Sequence, residues 1–241
     1  MNKSWSILLG GAMTIIITSL FFSCDHCVKA SGNIITEERQ LPAATGIIVE
    51  GTMNVVLTQG PTQLIQVKGD DNVLKYVQTY MSGSNIVFSI DGNKCFKKES
   101  TIEVYVTLPS IQHVQLDSDG RINGSNSFKT DSLSILLRGF GNIDLQDTSR
   151  AVYVQSTGNG RVSMTGESTK LKIENRGQGV IQFQNFTTEN AQVIVTNIGG
   201  VVVKVTQHLT GEISSAGNIL YYGNPTTVDV LDNGSGDAIA Q

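Results

Sequence analysis

The sequence predicts an all-β fold, a single-stranded right-handed β-helix or β-solenoid with coils of about 19 residues and an irregular N-terminal section. Three observations predict it. First, a small-x-Gly unit recurs seven times, with final glycines at Gly120, Gly141, Gly160, Gly179, Gly199, Gly217 and Gly236, spaced 21, 19, 19, 20, 18 and 19 residues apart. Second, apolar residues keep a fixed phase to that unit. Ile122, Ile143, Val162, Ile181, Val201 and Ile219 stand two positions after the glycine, and Val114, Ile135, Val154, Ile173 and Val193 stand six before it. Third, the 241 residues include 25 glycines but only 4 prolines, with 39% hydrophobic and 16% charged residues. That balance fits neither a disordered chain nor collagen.

Taken in order, residues 1–23 read as a secretory signal. Lys3 precedes an apolar stretch from Ile7 to Phe22, 16 residues long, which is short of the roughly 20 needed to span a bilayer. Ser23-Cys24 follows, a small residue directly before a cysteine, in the manner of a lipoprotein lipobox. The expectation is a diacylated Cys24 at the mature N-terminus, because the thioether to diacylglycerol needs a thiol. Acyl chains bind a membrane at about 0.8 kcal/mol per buried methylene. Residues 24–33 form a tether. Cys27 and Cys95 are a candidate disulfide in an oxidising envelope compartment, with two independent thiols as the alternative. No ligand cluster surrounds them, so no metal or cofactor is expected. The net charge of −4 and the lack of a basic stripe argue against a nucleic-acid partner.

Residues 34–241 carry the solenoid domain. A degenerate first copy of the repeat stands at Gly51-Thr52-Met53. Each coil holds two short runs of alternating apolar residues, the period-2 pattern of strands. Between them, glycine at the corner would permit positive φ and close backbone approach. One coil cannot bury its own apolar face, but stacked coils build a continuous core. Right-handed winding follows the general chirality of parallel crossovers. Residues 60–110 interrupt the repeat as a capping or insert section. There the pattern predicts a helix over Asp70–Tyr80 and strands over Asn85–Ile90 and Ile102–Leu108.

A string of motifs resembles the "putative auto-transporter adhesin, head GIN domain" family of Gram-negative envelope lipoproteins. It runs from Ser31-Gly32-Asn33-Ile34-Ile35-Thr36-Glu37-Glu38-Arg39 through Val49-Glu50-Gly51-Thr52-Met53-Asn54-Val55-Val56-Leu57-Thr58-Gln59-Gly60 and Val104-Tyr105-Val106-Thr107-Leu108-Pro109. After the repeated Ser/Gly-x-Gly-Asn/Asp units it ends in Tyr221-Tyr222-Gly223-Asn224-Pro225. The resemblance implies a β-helical fold and an adhesive or envelope role, and it brings no catalytic residues with it.

The sequence holds no nucleophile elbow, zinc-protease helix or phosphate loop. The three histidines, His26, His113 and His208, are scattered. Two columns of the repeat are predicted to face outward. Three positions before the final glycine stand Asp117 and Arg138, and one after it stands Arg121. If both columns share a face, Asp117, Asp119, Arg121, Arg138 and Asp144 gather within two coils as a candidate glycan-contact surface. Paired carboxylates beside cations are what glycan cleavage requires. The plainer reading is a solvated face with ion pairs between coils, each worth under about 1 kcal/mol. The sequence therefore points to a non-catalytic, lipid-anchored β-solenoid of the outer membrane, engaged in adhesion or in contact with a glycan or envelope protein. The alternative is a carbohydrate-active β-helix enzyme acting on polysaccharide.

Overall fold

Alternating apolar residues fix which side of each strand faces inward, and the glycine unit fixes where the chain turns. In the computed structural model, which describes residues 27–92, 94, 96–97 and 101–241, these two rules produce a stack of parallel coils. Strands β1 (Ile34–Glu38), β2 (Gly46–Val49), β3 (Asn54–Gln59) and β4 (Leu64–Asp70) come first. A helical turn α1 (Asp71–Leu74) precedes β5 (Val77–Ser82), β6 (Asn85–Ile90), β7 (Glu103–Leu108) and β8 (His113–Leu116). The regular coils follow as β9 (Arg121–Leu137), β10 (Asn142–Ser156), β11 (Arg161–Asn175), β12 (Val180–Val195) and β13 (Val201–Ile213). The chain finishes in β14 (Ile219–Tyr222), β15 (Thr227–Asp232) and β16 (Ala238–Ala240).

From β9 to β14 each strand pairs in parallel with the next, and residues of equal phase stack directly. Ile122, Ile143, Val162, Ile181, Val201 and Ile219 form one unbroken register column, and all six are fully buried. Each such aliphatic side chain contributes roughly 1.5–3 kcal/mol by leaving water. Phe128, Phe183 and Phe186 are among the largest fully buried side chains, the last two packed edge to face with centroids 5.4 Å apart.

The corner glycines serve close approach, not positive φ. Among the described glycines, positive φ occurs at Gly32, Gly83, Gly166 and Gly223, none of them in a corner unit. A Cβ on Gly158 would overlap the carbonyl oxygen of Gly139 one coil below, and one on Gly160 would overlap that of Gly141. Variation in coil length is absorbed elsewhere, at the bend midway between corners. The register between β9 and β10 slips between Asp144 and Gln146, and that between β12 and β13 slips between Phe183 and Thr187.

The N-terminal part adds a coil out of chain order. β2 and β3 pair in parallel with β8 and β9 on one side, and with β6 and β7 on the other. The first coil in sequence is therefore enclosed between later ones. Beyond β6 and β7, the strands β1, β4 and β5 pair antiparallel and end the stack. The predicted helix over Asp70–Tyr80 is corrected: only Asp71–Leu74 is helical. Val73 and Leu74 are buried by that turn, while Val77, Thr79 and Met81 alternate inward along β5, whose residues pair with β6. A parallel bridge joins Val28 to Phe96, with Lys97 N–H donating to the Val28 carbonyl at 3.0 Å. Cys27 takes part in a disulfide. Cys24 and Cys95 lie outside the described residues, as does the signal segment.

Candidate functional site

The five predicted surface residues divide at the glycine corner. Asp117 and Arg138 stand on one side of it, one coil apart, and pair at 3.3 Å. Gln115 Nε2 also donates to Asp117 Oδ2 at 2.8 Å. Asp119 is exposed within the corner unit itself. Arg121 and Asp144 belong to the strands that leave the corner, and Asp144 pairs with Arg161 at 3.6 Å. Three of the five thus enter intercoil ion pairs, Asp117 with Arg138 and Asp144 with Arg161, while Asp119 and Arg121 belong to neither pair. Among the described residues, no group of three or more His, Cys, Asp or Glu is placed to hold a metal ion.

A more concave region lies at the bend between corners. The recurring triplets Thr148-Ser149-Arg150, Glu167-Ser168-Thr169 and Thr187-Thr188-Glu189 line a trough of 440 Å³ that runs across successive coils. In each triplet the middle hydroxyl is buried while the flanking residues rise on either side. Ser149, Ser168 and Thr188 are register partners. Ser149 Oγ donates to Asp147 Oδ1 at 2.8 Å, Ser168 Oγ to Thr188 Oγ1 at 3.0 Å, and Thr188 Oγ1 to the Asn190 carbonyl at 3.3 Å. Asp147 itself is fully buried, and its Oδ2 has no hydrogen-bond partner. Its register neighbours are Phe128 and Gly166. Burial pushes its carboxyl up to about 6, against the partial relief of the Ser149 hydrogen bond. On the rim, the Arg150 guanidinium grips Asp131 through Nε at 2.7 Å and through an Nη at 2.8 Å. That contact holds the Asp131 carboxyl below its usual range.

A second trough of 420 Å³ is lined by the residues that follow the first in each coil, from Ala151, Lys170 and Asn190. Lys170, Lys172, Gln192 and His208 line it over the core residues Val152, Leu171 and Ala191, which are buried beneath. Lys172 bonds Glu174 at 2.8 Å, Arg176 bonds the same carboxylate at 2.9 Å, and together they hold it below the ordinary carboxylate range. Lys170 has no ion-pair partner among the described residues. Sequence reasoning passed over both troughs. The signal was present as a hydroxyl triplet repeating at one phase, with Ser149, Ser168 and Thr188 standing 19 and 20 residues apart.

A stack of single-chain parallel coils with a glycine corner and polar outward columns defines a β-solenoid. The family model described as "putative auto-transporter adhesin, head GIN domain" matches residues 44–225, and the chain belongs to that family. A putative adhesin from Bacteroides fragilis superposes with a TM-score of 0.85 at 24% identity, covering 89% of this chain and 100% of that one. A putative lipid binding protein from Parabacteroides distasonis gives 0.71 at 17% identity, over 89% and 100% of the two chains. A putative adhesin from the same organism gives 0.70 at 17%, over 90% and 100%. At these identities the likeness establishes the shared fold. No curated protein matches the sequence.

Proposed function

We propose that the chain is a non-catalytic adhesin, held on the outer membrane through an acylated Cys24, that presents the flank of its solenoid to molecules at the cell surface. The observation that carries this reading is its membership of the adhesin-head family over residues 44–225. The lipobox at Ser23-Cys24 supports the anchor. The solenoid suits the role physically, because stacked coils are rigid and repeat their outward columns about every 4.8 Å. The corner carboxylates Asp117 and Asp144 are engaged with Arg138 and Arg161, an arrangement that suits a solvated face better than an acid–base pair. The experiment combines metabolic labelling with radioactive palmitate, protease shaving of whole cells, and adhesion of beads coated with the protein. Label lost on Cys24→Ala, digestion of the chain on intact cells, and bead adhesion are the expected results. Label that survives the substitution refutes the anchor, and a protein protected in intact cells whose beads bind nothing refutes adhesion.

A further inference from the structure

The chain is tied to the fold almost as soon as it leaves the expected acyl site. Cys27 takes part in a disulfide, Val28 bridges Phe96 in parallel, and Lys97 N–H donates to the Val28 carbonyl at 3.0 Å. Val28 stands four positions after Cys24. Extended chain spans at most about 3.6 Å per residue, so that stretch reaches at most about 14 Å. A lipid on Cys24 therefore brings one particular face of the protein to the bilayer.

That face is basic. Lys29 and Lys97 each follow a residue of the bridge. Lys75 and Lys94 hold their ammonium groups 5.0 and 5.5 Å from the centroid of the Tyr76 ring, which packs on Phe96 with centroids 6.0 Å apart. Lys75 closes α1, the turn between β4 and β5 at the capped end of the stack. All four lysines are exposed, and none enters an ion pair among the described residues. Two described acidic groups stand beside them. Asp71 already accepts from Ser31 Oγ at 2.6 Å and Asn33 Nδ2 at 2.9 Å, and Asp91 lies on the hollow that Lys94 and Lys97 line. Asp25, Lys98 and Glu99, outside the described residues, together add one negative charge. The whole chain carries −4, so the excess of cations is local. At the other end of the stack Glu212, Asp229, Asp232 and Asp237 are exposed. Like charges gathered around one ring repel one another, and an anionic surface relieves that repulsion.

We propose that Lys29, Lys75, Lys94 and Lys97 form a docking face for anionic lipid headgroups, which sets the capped end of the solenoid against the membrane and points the acidic end away. The face deepens the anchored reading, on which it rests, by giving the anchored protein an orientation. At physiological salt the field of lipid phosphates falls off over about 8 Å, and the short tether keeps the lysines close to that range.

The test holds the mature chain, residues 24–241, on vesicles through a hexahistidine tag before residue 24 and a nickel-chelating lipid, so it reads the face whether or not Cys24 is acylated in cells. Vesicles of phosphatidylcholine are compared with vesicles rich in phosphatidylglycerol, and acetylation of each lysine is followed by mass spectrometry. On the anionic vesicles the four lysines are expected to react at least about fivefold more slowly than on the neutral ones, and Lys204 in β13 equally on both. High salt should remove the protection. Lys75→Gln with Lys94→Gln should return Lys29 and Lys97 to within about twofold of their neutral-vesicle rates, since each lysine near an anionic surface is worth about fivefold. Equal rates on both vesicles overturn the face, as does equal protection of Lys204. Polyaspartate is the second probe: protection by it with none on the anionic vesicles assigns the face to an acidic polypeptide and overturns the lipid. Palmitate labelling of Cys24 is read separately. Label without protection leaves the anchor and removes the face, and protection without label leaves the face and removes the anchor.

Discussion

Asp147 gives the sharpest test of how the interior is built. Its carboxyl is fully buried, one oxygen has no partner, and burial holds it up to about 6 against an ordinary 3.8. The folded protein therefore binds this proton more tightly than the unfolded chain does. Between pH 4 and 6 the unfolded chain releases the proton first, so stability falls as pH rises through that window and stays low above it. At about 1.36 kcal/mol for each pH unit separating the two values, the site costs about 3 kcal/mol at neutral pH. Asp147→Asn keeps the shape and the acceptor for Ser149 while removing the charge. It should stabilise the protein by about 2–3 kcal/mol at pH 7 and by almost nothing at pH 4. Urea unfolding of both proteins at a series of pH values reads the difference directly. A gap between them that is constant across pH 4 to 7, or a variant less stable at pH 7, refutes the reasoning.

Other consequences can be checked on the same protein. Gly158→Ala places a Cβ against the Gly139 carbonyl and should cost about 1–3 kcal/mol. Gly200→Ala meets nothing nearer than the Asn218 carbonyl at 3.9 Å and should gain about 0.4–1 kcal/mol; urea midpoints that move together refute the close-approach account. Phe183→Ala, which empties an edge-to-face pair in the interior, should cost about 3–5 kcal/mol. Phe140→Ala, at a corner apex with 68% of the residue exposed, should cost a small fraction of that in the same assay. Cys27 takes part in a disulfide and Cys95 is its candidate partner from the sequence, so a non-reducing peptide map should find these two cysteines linked. A Cys24–Cys27 link instead would refute both the pairing and the acylated anchor.

The regular coils were legible because two signals are locked together. The period-2 alternation that buries Ile143 and Leu145 stands at a fixed distance from Gly141, and the same holds at Val162 and Met164 after Gly160. Stacking then turns equal phase into contact without further information. In the segment from β4 to β7 the same alternation marks β6 and β7, but β5 was not legible in this way. Val73, Leu74 and Val77 fit a helical spacing, but pairing of β5 with β6 and of β6 with β2 decides the outcome, and local sequence does not report pairing between distant strands. How the corner residues pair between coils also depends on register. Asp117 and Arg121 are four residues apart, yet the turn at Gly120 directs their strands along different faces. The trough triplets could be read only once the register was known, because hydroxyl-rich runs also occur in ordinary loops.

Enclosure of β2 and β3 between β6–β7 and β8–β9 has a consequence for how the molecule is made. Along the chain, the coil of β2 and β3 is sealed only after residue 124 has arrived, so assembly cannot proceed coil by coil in the order of synthesis. Until then Ile47, Val49, Val55 and Leu57 lack the neighbours that β8 and β9 supply. Closing the long loop between β3 and β8 is an entropic debt that grows only slowly with loop length. Once closed, the coil of β2 and β3 is held on both sides, while the N-terminal strand β1 lies at the edge of the sheet beyond β4.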